Sequence, residues 1–429
     1  MLRGRALASL VLTVVLIAAC WLSSGLAPLT DAAAGARDPV DFARDYVSAR
    51  ALLEDGSGPP PEGDAGNARA DRLGAPRVEL LGGPYYIHPP TATLVVLPLA
   101  RLSWHAAARA WALLSLAALV WLAWSLERIW SSGRPPAAWR FGLLAALLPF
   151  WPPALHCLEK GQWSIGLAAL LAAGYRALER ERATRAGALF SVAAALKATP
   201  VVRLGLLAAR NRRAAAVMAL GVAALALLAT ALDGGAAWRA FFGGASLNAE
   251  VWATWLANTA SLQGVFARLW TAGPFTRPLV VAPALSRGAF LATSAVLLAA
   301  AGAVSVGWLR RRARGEGDGR ARACWSAAWM ALPVLLNPLG WTHVAVMLLV
   351  PIAVALRDGR AGARVVAALA LAALSIPRTS LVAWAGPLPL APLPALAVGT
   401  HAFAAVALYL ALLVEGASKS SAPPGRAYQ

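Results

Sequence analysis

The chain has 429 residues, of which 59% are hydrophobic and only 14% are charged. This composition is too apolar for one soluble core of that length, and it predicts a protein whose main solvent is the lipid bilayer. The formal charge of +19 comes from short basic runs between apolar segments, which is the pattern of membrane topology and not that of a nucleic-acid partner.

Apolar stretches of the length that crosses the hydrocarbon, about 20 residues, recur along the chain. They include residues 7–26, 106–126, 214–232, 288–309 and 395–414. The number of segments between successive basic clusters predicts an all-α, polytopic transmembrane helix bundle of about 12 spans with both termini in the cytoplasm. It would be one integral-membrane domain over residues 1–429, with its first transmembrane helix at 7–27 and a disordered cytoplasmic tail at 415–429. Membrane lipids are therefore expected to surround it.

The first external loop is predicted over residues 28–90, and it holds half of the acidic residues of the chain. Residues 41–53 have helical spacing and predict a short helix lying at the membrane surface with its carboxylates toward water. One stripe of this helix carries Phe42, Tyr46, Ala49 and Leu53, and the next carries Asp41, Asp45 and Ser48. Residues 56–83 are rich in Gly, Pro, Ala and charge, and they predict a mobile loop without a core.

A second external loop is predicted over residues 233–285. It carries Trp238, Trp252, Trp255 and Trp270. Tryptophan at this density is typical of the boundary between lipid and water, and it can also stack on sugars. The three cysteines, Cys20, Cys157 and Cys324, lie far apart in apolar segments and indicate neither a disulfide framework nor a metal site.

Four short polar segments are predicted to lie on the same external side. They are the Asp41 region and residues 159–162, 197–200 and 337–343. Lys197 is the sharpest candidate, because a charge inside an apolar run needs a partner or a water-filled cavity. Pro200 is expected to end a short, broken helix there, and broken helices at membrane depth usually line a cavity. The alternative is a lysine that snorkels to the interface.

Two histidines can be interpreted either as functional residues or as structural ones. His343 follows Trp341 at the start of another apolar segment, where an imidazole can donate, accept or carry charge or can simply be an interfacial residue. His88 precedes two prolines, which fix an extended turn by themselves. Asp41 follows Pro39 and could also be only a helix cap.

These residues together resemble a known family. Asp41-Phe42 with Tyr46 and Ala49, then Tyr86-x-His88-Pro89-Pro90 and Leu97-Pro98-Leu99, are similar to the first loop of the polyprenol-phosphate-mannose-dependent mannosyltransferases of glycosyltransferase family 87. The similarity continues from about residue 35 to 357. Its later motifs are Gly161-Gln162, Gly187 ahead of Lys197-x-x-Pro200, Asn258 with Ser261-Leu262 and Arg268, and Asn337-Pro338-x-x-Trp341-x-His343. The departures are the polar insert at 56–83, Thr259 and Ala260 beside Asn258, and Gly340 where a serine is more usual.

The resemblance implies a C-type, multi-spanning enzyme without a cofactor. It would transfer a mannosyl unit, with inversion, from a polyprenyl-phosphate donor to a hydroxyl of a glycolipid or glycan on the extracytoplasmic face of the plasma (inner) membrane. An external site has no access to cytoplasmic nucleotide sugars, which independently favours a lipid-anchored donor. Asp41 is the expected general base, with Asp45 as the alternative one helical turn along.

The departing phosphate gathers negative charge, so preorganised cations would stabilise it. Lys197 and Arg268 are the candidates, with His343 and His88 as further donors. The other residues expected to bind substrate are Tyr86, Gln162, Asn258, Asn337 and Trp341. No carboxylate spacing predicts a metal site.

Two alternatives stay open. A lipid or glycolipid transporter or flippase would also use broken helices and a buried lysine, although such proteins usually show two halves with matching interruptions, and none is evident in the sequence. A related transferase that uses a lipid-linked pentose or glucose is barely separable by sequence.

Overall fold

The computed structural model describes residues 39–56, 64–76, 88–132, 134–256, 259–316, 318–387 and 389–418. The first half contains the helices α1 (Val40–Asp55), α2 (Asp64–Leu73), α3 (Pro90–Val96), α4 (Trp104–Ser131), α5 (Ala138–Leu147), α6 (Pro152–Lys160), α7 (Ser164–Glu179), α8 (Ala183–Leu196) and α9 (Arg203–Arg210). The second half contains α10 (Arg212–Leu256), α11 (Leu262–Trp270), α12 (Pro283–Ala313), α13 (Gly319–Leu335), α14 (Leu349–Asp358), α15 (Ala361–Leu374), α16 (Arg378–Ala385), α17 (Pro392–Ala397) and α18 (Thr400–Ala417). Short 3₁₀ turns lie at Leu99–Arg101, Leu148–Phe150, Thr199–Val202 and Thr342–Leu348. These ranges contain no β-strand, which confirms the all-α prediction.

Among the described residues, four helices are long and apolar enough to cross a membrane. They are Trp104–Ser131, Arg212–Phe242, Pro283–Ala313 and Thr400–Ala417. Two bent pairs, Ala138–Phe150 with Pro152–Lys160 (58°) and Ala361–Leu374 with Arg378–Ala385 (82°), raise the number to six if each pair is one broken span. The chain is therefore a membrane protein with four to six such segments in this part, and the number of about 12 spans is not confirmed.

Two predicted boundaries can be compared with the structure, the start of the tail and the second loop. The first transmembrane helix, 7–27, lies outside the described residues, as do residues 419–429 of the tail. Helix α18 continues to Ala417, so the start of the predicted tail at 415 is helical. Much of the predicted second loop, 233–285, is also helical, because α10 kinks at Gly234 (φ 76°) and then continues to Leu256.

Helix α1 is packed into the protein and does not lie on its surface. Phe42, Tyr46 and Ala49 are buried as one stripe, as their spacing predicted, but Asp45 and Ser48 are only 7% and 3% exposed. The expectation that the carboxylates face water is therefore wrong for Asp45. The physical reason is that α1 is covered on more than one side, since it packs against α3, α4 and α6.

Aromatic rings hold α1 in this position. The ring of Phe42 stacks on Trp104 and on Trp111 of α4, with centroids 5.8 and 4.8 Å apart. The hydroxyl of Tyr46 donates a hydrogen bond to the Leu102 carbonyl over 2.8 Å. Rings of this size bury a large apolar area and have preferred stacking geometries, so α1 has a fixed orientation on the first long helix.

The predicted break near Lys197 is confirmed. Helix α8 ends at Leu196, Lys197 is extended (φ −151°, ψ 124°), and the 3₁₀ turn Thr199–Val202 leads into α9. Pro200 lacks an N–H, and in a continuous helix its ring would clash with the carbonyl four residues earlier, that of Leu196. The chain therefore changes direction at the lysine.

Candidate functional site

Asp41 is held by the turn that follows α6. Gly161 ends that helix in the left-handed conformation (φ 68°), and the Gln162 side chain beside it donates from Nε2 to Oδ2 of Asp41 over 2.6 Å. A Cβ atom on Gly161 would lie 2.7 Å from the Cβ atoms of both Phe42 and Pro39. Glycine is therefore required at this position, both for its φ angle and for the close approach of α1. Because α1 approaches so closely, Gln162 can bond to the carboxylate of Asp41 and fix its position.

Gly161→Ala is expected to destabilise the protein and to displace α1. The overlap with Phe42 and Pro39 should cost about 1–3 kcal/mol, in addition to the strain of a left-handed alanine, about 1–2 kcal/mol. The measurement is thermal unfolding of the purified protein in detergent. Gly56→Ala is the matched control, because Gly56 also has a positive φ (60°) but a Cβ there would meet nothing within 4 Å. Equal losses for the two variants would contradict the argument from close approach.

Asp45 is buried in a hydrogen-bonded group with His88 and Trp163. Its carboxylate oxygens lie 3.0 and 3.1 Å from Nδ1 of His88, and Oδ2 accepts a hydrogen bond from Nε1 of Trp163 over 2.7 Å. Asp45 and His88 are 7% and 3% exposed, whereas Asp41 is only half-buried. The two carboxylates of α1 therefore have different surroundings: Asp45 orients its neighbours, and Asp41 is the more accessible acid.

Lys197 lies within electrostatic range of both carboxylates. The hydroxyl of Thr91, at the start of α3, donates to the carbonyl of Ala195 near the end of α8, which joins the His88 segment to the break in the chain. Lys197 interacts electrostatically with Asp41, Asp45 and Cys157. The lysine at the break and the acids of α1, far apart in sequence, thus meet in one site.

His343 enters the same site from the second half of the chain. The 3₁₀ turn Thr342–Leu348 packs on α6 and α7 and leaves His343 only 2% exposed. This turn lies outside the six candidate spans. Burial lowers the pKa of His343 well below its usual range, and the positive charge of Lys197 acts in the same direction. At neutral pH the imidazole is therefore uncharged and offers one donor and one acceptor.

Two residues of this site were missed by the sequence analysis. His156 lies on α6 with its ring centroid 5.5 Å from that of His343, and Trp163 donates to Asp45. His156 stands four residues before Lys160, which places both on one face of a helix that ends in the Gly161-Gln162 motif. That spacing is the signal that could have identified it.

A second polar group joins two of the predicted motifs to each other. Ser261 caps α11 by accepting from the Gly264 N–H (3.0 Å), and its hydroxyl donates to the Pro338 carbonyl (2.7 Å). A Cβ atom on Gly340 would lie 3.0 Å from Cβ of Ser261. The Ser261 motif and the 337–343 motif are therefore in direct contact.

Arg268, Asn337 and Trp341 belong to this second group. Arg268, 1% exposed, donates from Nη1 to the Thr259 carbonyl over 2.8 Å. Asn337 accepts from the Leu339 N–H over 3.1 Å, and Trp341 packs against Ala267.

The positive charge of Arg378 acts on both Arg268 and His156, so both groups lie within electrostatic range of this one residue. Tyr86 and Asn258, the other predicted binding residues, lie outside the described residues.

The arrangement suits proton removal beside an anion. A half-buried carboxylate, held by one amide, lies within electrostatic range of a lysine and of one imidazole of a buried pair. Within the described ranges, no group of three or more His, Cys, Asp and Glu side chains is arranged to hold a metal ion.

Comparison with known proteins adds one finding. Residues 86–286, a little under half of the chain, match the model of glycosyltransferase family 87. Neither the curated proteins nor the solved structures give a match to the chain. The matched range includes His88, Gln162, Lys197 and Arg268, whereas Asp41 precedes it and the 337–343 motif follows it. The match supports the resemblance to this family and indicates a glycosyltransferase.

Proposed function

We propose that the protein is a membrane-embedded mannosyltransferase. It takes the sugar from a polyprenyl-phosphate donor, transfers it with inversion to a hydroxyl of a glycolipid or glycan, and works on the extracytoplasmic face of the plasma membrane. The observation that carries this proposal is the meeting of Asp41, held by Gln162, with Lys197 at a break in an apolar helix. The match over residues 86–286 supports the transferase class.

In the proposed reaction Asp41 is the general base. The acceptor hydroxyl gives its proton to the Asp41 carboxylate while its oxygen forms a bond to C1 of the sugar. The bond from C1 to the phosphate oxygen breaks, and its electron pair leaves with the polyprenyl phosphate. A single displacement of this kind inverts the configuration at C1. Asp45 is less suited to this role, since His88 and Trp163 already engage its oxygens.

The phosphate gains negative charge as the bond breaks, and fixed donors in a dry site stabilise such charge strongly. Lys197 and His343 are the proposed donors, together with His88, whose Nδ1 is held by Asp45. Arg268, which lies in the second polar group, would act on the same charge from farther away. Trp341 and Asn337 also belong to the second polar group, and an aromatic face and an amide there would suit a sugar.

Tyr86 and Asn258 are proposed as substrate-binding residues on the resemblance alone. The extracytoplasmic orientation is proposed from the basic clusters of the sequence, because positively charged loops stay in the cytoplasm. An active site on the extracytoplasmic side has no access to cytoplasmic nucleotide sugars, so it requires a donor that is already anchored in lipid.

The direct test incubates the purified protein in detergent with labelled polyprenyl-phosphate mannose and a membrane-lipid extract. Labelled glycolipid should form without any ion gradient or nucleotide sugar, because the activated bond is in the donor itself. Parallel reactions with polyprenyl-phosphate glucose and with a polyprenyl-phosphate pentose compare the three sugars.

Two results would contradict the proposal. Product from nucleotide-linked mannose alone would overturn the lipid-linked donor. Absence of transfer in detergent, together with movement of the labelled lipid between the leaflets of reconstituted vesicles, would identify a transporter instead.

A further inference from the structure

His156 and His343 form a pair of imidazoles inside the site. Their ring centroids lie 5.5 Å apart with the planes tilted by 46°. The Nδ1 atoms of both rings are buried without a hydrogen-bond partner among the described residues. A buried polar atom without a partner is costly and calls for an explanation. A ligand that accepts or donates between the rings would supply one.

The charges around the pair favour an anion. His156 interacts electrostatically with Lys160 on its own helix, with Asp41 of α1 and with Arg378 of α16. His343 interacts with Lys197, His156, His88 and Lys160. Three cations from three elements, Lys160, Arg378 and Lys197, therefore act on one or both rings, and Asp41 is the carboxylate that acts on His156. An oxyanion placed beside the pair, on the side of Lys197, would meet donors from both the imidazoles and the lysine.

We infer that His156 and His343 together bind the phosphate group of the substrate lipid, with His156 as a substrate-binding residue that the sequence motifs do not include. This inference rests on the proposed function for the identity of the ligand, a polyprenyl phosphate. Each uncharged imidazole donates one N–H to a phosphate oxygen, and hydrogen bonds to a charged acceptor are about twice as strong as neutral ones. The bound phosphate would then lie between the imidazole pair and Lys197, with the sugar carbon on the side of Asp41.

Direct binding tests this site without any need for turnover. The full chain in detergent is titrated with a polyprenyl phosphate, with the uncharged polyprenol of the same length and with inorganic phosphate. The wild type should prefer the polyprenyl phosphate to the polyprenol. His156→Ala should bind the phosphate lipid about tenfold or more weakly, the loss typical for one hydrogen bond to a charged group, with unchanged binding of the polyprenol. His105→Ala is the matched control, because His105 is an exposed histidine on α4.

A second pair of variants covers the case in which the alanine variant does not fold. His156→Asn places a nitrogen near the position of Nδ1, whereas His156→Gln places one near Nε2. The asparagine variant should retain more affinity for the phosphate lipid than the glutamine variant, while both melt at the same temperature.

Several outcomes would overturn the inference. They are wild-type affinity in His156→Ala, equal binding of polyprenyl phosphate and polyprenol by the wild type, and equal effects of His156→Ala and His105→Ala. Inorganic phosphate that competes fully with the lipid would support the anion site and show that the headgroup alone is recognised. Binding that depends on His156 without any sugar transfer from lipid-linked donors would sustain the phosphate site and refute the transferase.

Discussion

The Asp41→Asn variant is expected to lose transfer activity by at least about 100-fold, the lower end of what a positioned general base contributes. Asparagine keeps the shape of the side chain, and its amide oxygen can still accept the hydrogen bond that Gln162 donates to Asp41 Oδ2 over 2.6 Å. It cannot act as a base that takes a proton. The rate of transfer from labelled polyprenyl-phosphate mannose at saturating donor measures the effect. Expression, membrane insertion and melting temperature should stay those of the wild type.

Glu54→Gln is the matched control for this variant. Glu54 lies on the same helix, is exposed, and pairs only with Arg50 one turn away, an arrangement that contributes little to stability. Its neutralisation should leave transfer unchanged. Wild-type activity in Asp41→Asn would remove Asp41 from the mechanism, and a loss confined to Asp45→Asn would transfer the role of base to Asp45.

The Lys197→Met variant is expected to lower kcat by about 100-fold or more, the range seen when one preorganised donor to a developing anion is removed. Methionine fills a similar volume without the charge. Lys197→Arg should retain part of the activity, because a cation is still present, although the guanidinium has another shape. Single-turnover rates with labelled donor separate this effect on bond breaking from an effect on binding.

Arg213→Gln serves as the control for lost positive charge. Arg213 is exposed at the start of α10, the helix that packs against α8, and its removal should change neither kcat nor KM. A similar loss in both variants would mean that net charge matters and that the position of Lys197 does not. An active Lys197→Met enzyme would contradict the proposed stabilisation of the phosphate.

The features predicted best from sequence are those set by neighbouring residues. Runs of apolar residues gave the long helices, and Pro200 gave the break after Leu196, because a proline acts on its own turn of the chain. Helix α1 was also predicted from its spacing, within a few residues of Val40–Asp55. The first part of the predicted second loop, 233–285, is helical as far as Leu256. Gly234 has a positive φ and kinks the helix, but the helix resumes directly after it.

The features missed depend on partners that are distant in sequence. Spacing alone assigned Asp45 to the face of α1 that meets water, but Trp163 and His88, 118 and 43 residues away, bury it and bond to it. The ring of His156 comes close to that of His343 only when the turn Thr342–Leu348 packs on α6. Gly340 appeared as a departure from the usual serine, and a Cβ atom there would lie only 3.0 Å from Cβ of Ser261, which gives the glycine a physical reason. The spacing of His156 and Lys160 is a local signal, but no pattern within one segment shows these contacts between distant segments.

The length of α8 has a consequence for how substrates reach the site. Its 14 residues, Ala183–Leu196, span about 21 Å at 1.5 Å per residue, whereas the hydrocarbon layer is about 30 Å thick. If α8 starts at one boundary of the hydrocarbon layer and follows the membrane normal, its other end lies several ångströms inside the opposite boundary unless the bilayer thins around it. To reach Lys197, a lipid phosphate would have to lie deeper in the membrane than the surrounding headgroups. The acceptor hydroxyl would have to enter to the same depth. Local thinning of the membrane beside α8 would reduce the depth that the donor phosphate and the acceptor hydroxyl must reach.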